Sequence, residues 1–363
     1  MLHKEQFMPI NIYVVSTQDF TGKSAVCVAL MHRMINDGYK VGYLKPFSSA
    51  ARVRGGSRID EDARFIKETF NLPETIEELA PVVLTDEGLA AHLASGDGDS
   101  YTGRVQAAGQ TVGQGRDVVV VEGSANFREG YVVGLSPMKT VELLRARVVA
   151  VVGFRSSLQI IDDSFTALTR MGRDLVGVIL NEIPAEQMDY VRDTVKPYLE
   201  RNGIDVLAVL PHQTVLHSVS IGEINDALEA EVICYGCYND LVENLVVASA
   251  GVEHSLERFQ RVPNKAVIVG GDRPDIQMDA LDTSTKVLII TGNLEPTPQV
   301  AERAELEDVA IIMSPFDTLA TIEKLETLFG RSRFHQIEKV KLFEALLSQN
   351  MNYEAFYQKI GLK

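Results

Sequence analysis

Near the N-terminus the stretch Ser16-Thr17-Gln18-Asp19-Phe20-Thr21-Gly22-Lys23-Ser24 brings glycine, lysine and hydroxyl groups together in an order suited to holding phosphate. It follows the apolar run INIYVVS (10–16) and leads into AVCVALMHRMINDG, which is the strand, loop and helix that a phosphate-binding loop requires. In that reading the helix N-terminus and the loop amides face the phosphoryl oxygens, Lys23 reaches the β and γ groups, and Ser24 offers its hydroxyl to Mg²⁺. The candidate nucleotide contacts are Thr17, Thr21, Gly22, Lys23, Ser24 and Ala25. The Gly-Lys-Ser triplet alone is weak evidence, and the strict spacing GxxxxGK[ST] is not met, because Thr17 stands where its first glycine belongs. An ordinary strand-to-helix turn with a chance triplet is the competing reading.

A magnesium nucleotide also needs carboxylates. VVVVEGSAN puts Glu122 where an apolar strand leaves the sheet, and ligands of open α/β sheets collect at such ends. A carboxylate straight after four valines must have a partner, and here it could meet Mg²⁺ directly or through water. Ile59-Asp60-Glu61-Asp62-Ala63 supplies further acids, although a solvated helix cap explains that triplet equally well. Lys45, in Tyr43-Leu44-Lys45-Pro46-Phe47, ends a strand before a proline. It could meet a γ-phosphate or an acidic substrate, or be a surface lysine reaching outward from the strand end.

These residues depend on a scaffold that the hydrophobic pattern describes. INIYVVS (10–16), KVGYLKP (40–46), DVVVVEG (117–123), RVVAVVG (147–153), DLVGVIL (174–180) and DVLAVLP (205–211) are too apolar for one-sided burial, so they predict a parallel sheet covered on both faces. Residues 22–37, 137–146, 158–171 and 185–201 predict the crossover helices. Ser136 before Pro137 makes a cap, and Gly38, Gly172 and Gly203 make stops. Residues 48–115 read less regularly, with helices, the loop ASGDGDS, and a basic stretch ARVRGGSR that predicts a flap over the site. Four more apolar runs, ENLVVAS (243–249), KAVIVGG (265–271), KVLIITG (286–292) and VAIIMSP (309–315), predict a second, smaller α/β domain, and FHQIEKVKLFEALLSQ an amphipathic helical end. The fold expected is therefore α/β: a doubly wound, mostly parallel sheet over residues 1–214, a smaller domain over 215–332, and a helical tail over 333–363.

With these elements in place the chain resembles the dethiobiotin synthetase-like P-loop proteins, which include cobyrinic acid a,c-diamide synthases and the N-terminal region of long phosphotransacetylases. The resemblance covers about residues 9 to 220. That family has a loop one residue longer than the strict pattern, which Ser16 to Ser24 matches. It also has a lysine-proline pair matched by Lys45-Pro46, an aspartate best matched by Asp62, and a glutamate-glycine pair matched by Glu122-Gly123. The resemblance implies substrate contact by Lys45, Mg²⁺ coordination by Ser24, Asp62 and Glu122, and a purine site built from Asn181 of GVILNEI and Pro211 of VLAVLPH. The second half resembles the DRTGG domain at AVIVGGDRPDI (266–276), Thr291-Gly292 and Phe316-Asp317-Thr318. Two residues depart from the family: Ser16 stands at a usual glycine and Phe20 in a stretch of small residues, and neither freely adopts a positive φ. No acetyl-transferring domain follows, so phosphotransacetylase activity is not expected.

Bulk properties narrow the partners. The 363 residues are 45% hydrophobic and 23% charged, with a formal net charge of −15. That charge repels nucleic acid and anionic membranes, while a local loop can still bind a nucleotide. No apolar run is long enough to span a membrane and the first ten residues lack a signal peptide, so a cytoplasmic protein is expected. Three cysteines then need no disulfide; Cys234-Tyr235-Gly236-Cys237 lacks a second ligand pair, and Cys27 reads as core. Gly270-Gly271-Asp272-Arg273 reads as a tight turn closed by an Asp-Arg pair, or as an anion site. Three functions follow: an ATP- and Mg²⁺-binding regulator sensing a ligand through DRTGG, an ATP-dependent ligase activating a small acidic metabolite at Lys45, or an interaction protein with a degenerate loop. A homodimer or higher homo-oligomer is implied by the resemblance.

Overall fold

A computed structural model describes residues 9–49, 52–54, 57–95, 99–236, 238–248, 255–330, 334 and 336–362. In chain order the first elements are β1 (Ile10–Ser16), α1 (Lys23–Asn36), β2 (Val41–Leu44), the short strands β3 (Arg52–Arg54) and β4 (Ser57–Ile59), and α2 (Glu61–Phe70). They continue through α3 (Ile76–Leu79), α4 (Asp86–Ser95), α5 (Asp99–Gly113), β5 (Val118–Glu122), α6 (Pro137–Leu144), β6 (Arg147–Gly153), α7 (Ser157–Met171) and β7 (Leu175–Ile183). The short helices α8 (Met188–Tyr190) and α9 (Lys196–Arg201) and the strand β8 (Val206–Pro211) follow.

The six long strands form one parallel sheet in the order β2-β5-β1-β6-β7-β8. Their side chains are buried on both faces, as Val118 to Val121 and Val148 to Val152 illustrate, because helices cover both sides. Strand order reverses about β1, which opens a crevice at the carboxyl ends of its neighbours. The register fixes what meets there: Val14 lies opposite Glu122, and Leu44 opposite Val121, so Lys45 leaves its strand beside Glu122.

Two expectations change. Residues 185–201 form no continuous helix: a 3-10 turn, α8, a π-type turn over Val191–Val195 and α9 follow one another. Pro197 has no N–H to continue the α-helical ladder, and the wider turn absorbs the missing bond. The ARVRGGSR stretch contains β3 and β4, paired antiparallel, while residues 50, 51, 55 and 56 of the expected flap lie outside the described residues.

The chain divides into two units, Met1–His212 with Phe334–Lys363, and Gln213–Arg333. The amphipathic end thus joins the first unit, as α15 (Ile337–Asn350) and α16 (Tyr353–Ile360). Phe343, Leu347 and Phe356 are buried there, Glu344 pairs with His32 at 2.8 Å, and Tyr357 donates to Asp37 Oδ2 at 2.7 Å. Those contacts brace α1, the helix that begins at the loop.

The second unit comprises β9 (Val219–Ser220), α10 (Ile221–Leu228), β10 (Glu231–Cys234), β11 (Leu241–Val242), β12 (Asn244–Val247), α11 (Ser255–Gln260), β13 (Lys265–Gly270), α12 (Pro274–Leu281), β14 (Thr285–Thr291), α13 (Pro298–Leu306), β15 (Ala310–Met313) and α14 (Thr318–Gly330). Its sheet runs β10-β15-β14-β13-β12, parallel except for β10. The edge strand β10 was not anticipated: EVIC is short and only half buried, so it carries little of the apolar signal that marks the inner strands. Cys234 lies on it, and Cys237 is outside the described residues. At the end of β13, Arg273 N closes a turn on Gly270 O at 3.1 Å, but its guanidinium pairs with Asp275 at 3.2 Å.

Candidate functional site

The loop is built from the end of β1. Ser16 is extended and buried, and its Oγ accepts from Lys23 Nζ at 2.9 Å while lying 3.0 Å from Ala125 O. Lys23 Nζ also donates to Ala125 O at 2.6 Å. The serine at a usual glycine position therefore needs no positive φ; it holds the loop lysine against the segment that follows β5. Phe20, in contrast, does take the left-handed conformation, at φ 53°, and the residue is 59% exposed. Side-chain bonds from Gln18 to Asp163 and from Asn126 to Asp19, the latter 2.6 Å, tie the loop on both sides and sustain that strained backbone.

Gly22 opens α1 at φ 88°, with no side chain capping the helix, which leaves the first-turn amides available to an anion. A Cβ on Gly22 would stand 2.7 Å from Asn181 Nδ2, so glycine is needed for space as well as for φ. Asn181 donates to Thr21 O at 3.0 Å and thereby fixes the loop from the far strand. The hydroxyls of Thr17 and Thr21 are buried with no hydrogen-bond partner among the described residues. Buried hydroxyls ordinarily find partners, and phosphate oxygens would supply them.

Beside the loop lies a buried cluster of acids around one lysine. Ser24 Oγ donates to Glu122 Oε1 at 2.7 Å, and Tyr43 OH to Glu122 Oε2 at 2.7 Å. Lys45 Nζ stands 2.5 Å from Asp62 Oδ2, 3.0 Å from Asp60 Oδ2 and 4.0 Å from Glu122 Oε1. Asp60 caps α2 through Ala63 N at 2.9 Å and accepts from Ser48 Oγ at 2.5 Å. It is a cap, as one reading of the acidic triplet had it, but a buried one, and Lys45 is buried too rather than reaching outward.

Electrostatics follow from burial. Burial alone would lower the Lys45 amine, but Asp62, Asp60 and Glu122 hold it well above its ordinary value. Burial lowers the Lys23 ammonium, with Glu122 pulling it back up. The Glu122 carboxyl is raised by burial and drawn down by Lys45.

Of the residues picked from the sequence, the loop residues, Lys45, Asp62, Glu122 and Asn181 gather at the carboxyl edge of the sheet. Pro211 pairs with Ile183 at the end of β8, two residues past Asn181 on β7. Ser16, Tyr43 and Ala125 carry no such mark in the sequence, and Asp60 stands there only as one member of the acidic triplet. The acidic triplet held the signal for Asp60, while Tyr43 and Ala125 join through strand register that no local pattern displays.

Ser24 and Glu122 offer hard oxygen donors of the kind Mg²⁺ takes, so the residues fit the ion. Asp62 lies on Lys45 instead. Uncapped helix amides, two buried hydroxyls with no hydrogen-bond partner among the described residues and a buried lysine thus gather at this edge, with a hydroxyl-carboxylate pair alongside.

Residues 11–220 match the family described as AAA domain, and residues 223–328 the DRTGG domain. Over 371 residues the chain is 24% identical to a phosphate acetyltransferase of Synechocystis sp., covering 96% of this chain and 51% of that protein. Over 205 residues it is 26% identical to the ATP-dependent dethiobiotin synthetase BioD of Aromatoleum aromaticum, covering 55% of this chain and 89% of the relative. Among solved structures, the CBS and DRTGG domains of the regulatory region of Clostridium perfringens pyrophosphatase, complexed with the activator diadenosine tetraphosphate, align with a TM-score of 0.28 and 18% identity, covering 39% of this chain and 70% of that one. The chain spans about half the length of the curated phosphate acetyltransferases it matches. A P-loop domain similar to dethiobiotin synthetases is followed by a DRTGG domain, homologous to the N-terminal region of phosphate acetyltransferases.

Proposed function

The chain belongs to the AAA domain family, and from that premise we propose that it is a regulatory protein that binds ATP together with Mg²⁺ and senses a further ligand through its DRTGG domain. The observation that carries this reading is the pair of Ser24 Oγ on Glu122 Oε1 at 2.7 Å, placed directly beside the loop lysine. The loop amides, Thr17, Thr21 and Lys23 would hold the phosphates. Ser24 and Glu122 would hold the ion, directly or through water, with Asp62 joining if it left Lys45. Bound there, Mg²⁺ would neutralise phosphate charge. Asn181 and Pro211 border the side on which a purine would rest.

Regulation is favoured over ligation by what surrounds Lys45. A ligase of this type needs a cation free to take the substrate acid, whereas three acids of this chain already share the Lys45 amine within 4.0 Å. An incoming carboxylate would have to displace buried, hydrogen-bonded partners, at the cost of leaving them unpaired. The homodimer rests on family resemblance, and among the described residues no helix is long and apolar enough to cross a membrane.

Calorimetric titration with ATP and ADP, with and without Mg²⁺, followed by a phosphate-release assay with candidate carboxylic acids, tests the reading. Binding that strengthens with Mg²⁺ and proceeds without turnover is expected. Failure to bind would end both nucleotide readings in favour of an interaction protein, and acid-stimulated phosphate release would establish the ligase.

A further inference from the structure

Two lysines are buried at the carboxyl edge of the first sheet, and their surroundings differ. Lys45 is closed in by Asp62, Asp60 and Glu122, all within 4.0 Å. Lys23, only 8% exposed, is held instead by two uncharged oxygens, Ser16 Oγ at 2.9 Å and Ala125 O at 2.6 Å. Neither of those acceptors cancels its charge. An ammonium has three protons to donate, so the two bonds leave a third.

Ser16 is the last residue of β1 and pairs in register with Val151 of β6, so the sheet rather than the loop sets its position. It is buried, and water does not compete for its hydroxyl. A hydroxyl carries one proton and two lone pairs. The proton turns to a carbonyl, Gln18 O at 2.5 Å or Ala125 O at 3.0 Å, and a lone pair takes the Lys23 N–H. One oxygen therefore joins the end of β1, the start of the loop and the lysine that opens α1. A residue without that oxygen would leave the long lysine side chain one anchor fewer and more rotamers to explore.

We propose that Ser16 is a positioning residue of the nucleotide site, its hydroxyl holding the Lys23 ammonium in place for the phosphates of a nucleoside triphosphate. The inference rests on the reading that the loop holds a nucleotide. Both bonds to Lys23 can persist when a phosphate arrives, because the third proton is the one it takes. Fixing a flexible side chain beforehand removes its ordering cost from association. The hydroxyl thus acts through Lys23 rather than on the ligand.

The test titrates ATP with Mg²⁺ calorimetrically into the full chain as wild type, Ser16→Ala, Lys23→Ala and the double variant, with a melting curve for each protein. Alanine keeps the Cβ and removes only the oxygen. Ser16→Ala should bind roughly tenfold more weakly than wild type. On the Lys23→Ala background the same change should alter affinity less than about twofold, since the hydroxyl then has no ammonium to hold. A purely structural role would cost as much on either background. Ser16→Ala binding as wild type or more tightly, or an equal loss with and without Lys23, overturns the proposal and leaves the nucleotide reading standing. A wild type that binds no ATP overturns both. If the melting curve shows Ser16→Ala to be unfolded, Ser16→Cys, whose sulfur is a weak acceptor, takes its place with the same expected loss.

Discussion

Replacing Lys45 by methionine keeps the length of the side chain and removes its charge. In the intact protein that amine faces Asp62, Asp60 and Glu122 at 2.5, 3.0 and 4.0 Å, and Asp60 and Glu122 are only 1% and 2% exposed. Their negative charge would then lie in a poorly polarisable interior with no lysine among them, and removing one partner of such a buried set costs roughly 3–5 kcal/mol. At about 2–4 °C per kcal/mol for a unit of this size, the variant should melt roughly 6–20 °C lower. The deficit should depend on pH, with a definite sign. Burial already raises the Glu122 carboxyl, and Lys45 is what draws it down. A carboxyl raised in the folded state contributes full stability below its unfolded value and loses it as pH rises through the folded value, so the deficit should be small near about pH 5 and grow toward about pH 8. Circular-dichroism melts of both proteins across that range provide the assay. A midpoint within about 2 °C of wild type at the upper pH, or a deficit that does not shrink on acidification, would refute the assignment of Lys45 as the cation of the cluster.

Gly22→Ala should abolish ATP binding and destabilise the fold by about 1–3 kcal/mol, because φ 88° and Asn181 Nδ2 at 2.7 Å both exclude a Cβ; a variant that binds as wild type would refute the role given to the Gly22 turn and its contact with Asn181. Phe343→Ala, which empties a position 1% exposed in α15, should cost about 3–5 kcal/mol in denaturant unfolding. A loss under about 1 kcal/mol would mean that the C-terminal helices contribute little to the first unit.

Legibility in the sequence tracks how local each feature is. The loop could be read because strand, loop and helix are contiguous, and the long valine-rich runs 118–121 and 148–152 announced a two-sided core. Residues joined through register were harder. Glu122 could be picked out because a carboxylate after four valines is costly unless paired, but Tyr43, which donates to it, looks like an ordinary strand aromatic. Asp60 stood in the same triplet as Asp62, and only the fold tells which of them is buried. Strand β10 and the π-type turn were missed for opposite reasons, one for too weak an apolar signal and the other because Pro197 changes the ladder without changing the periodicity. Docking of α15 and α16 on α1 joins chain ends through contacts such as Tyr357 with Asp37, which amphipathic periodicity alone does not specify.

In the function proposed here, Lys23 and its loop hold the phosphates of a magnesium nucleotide. Calorimetric titration of ATP with Mg²⁺ into the wild type and Lys23→Ala, each also followed by thermal melting, tests it most directly. Loss of two charge-assisted hydrogen bonds should weaken binding roughly a hundredfold or more. The melting curves check that the variant remains folded despite losing the Lys23 bonds to Ser16 Oγ and Ala125 O. Equal affinity in the two proteins, with both folded, would contradict the account.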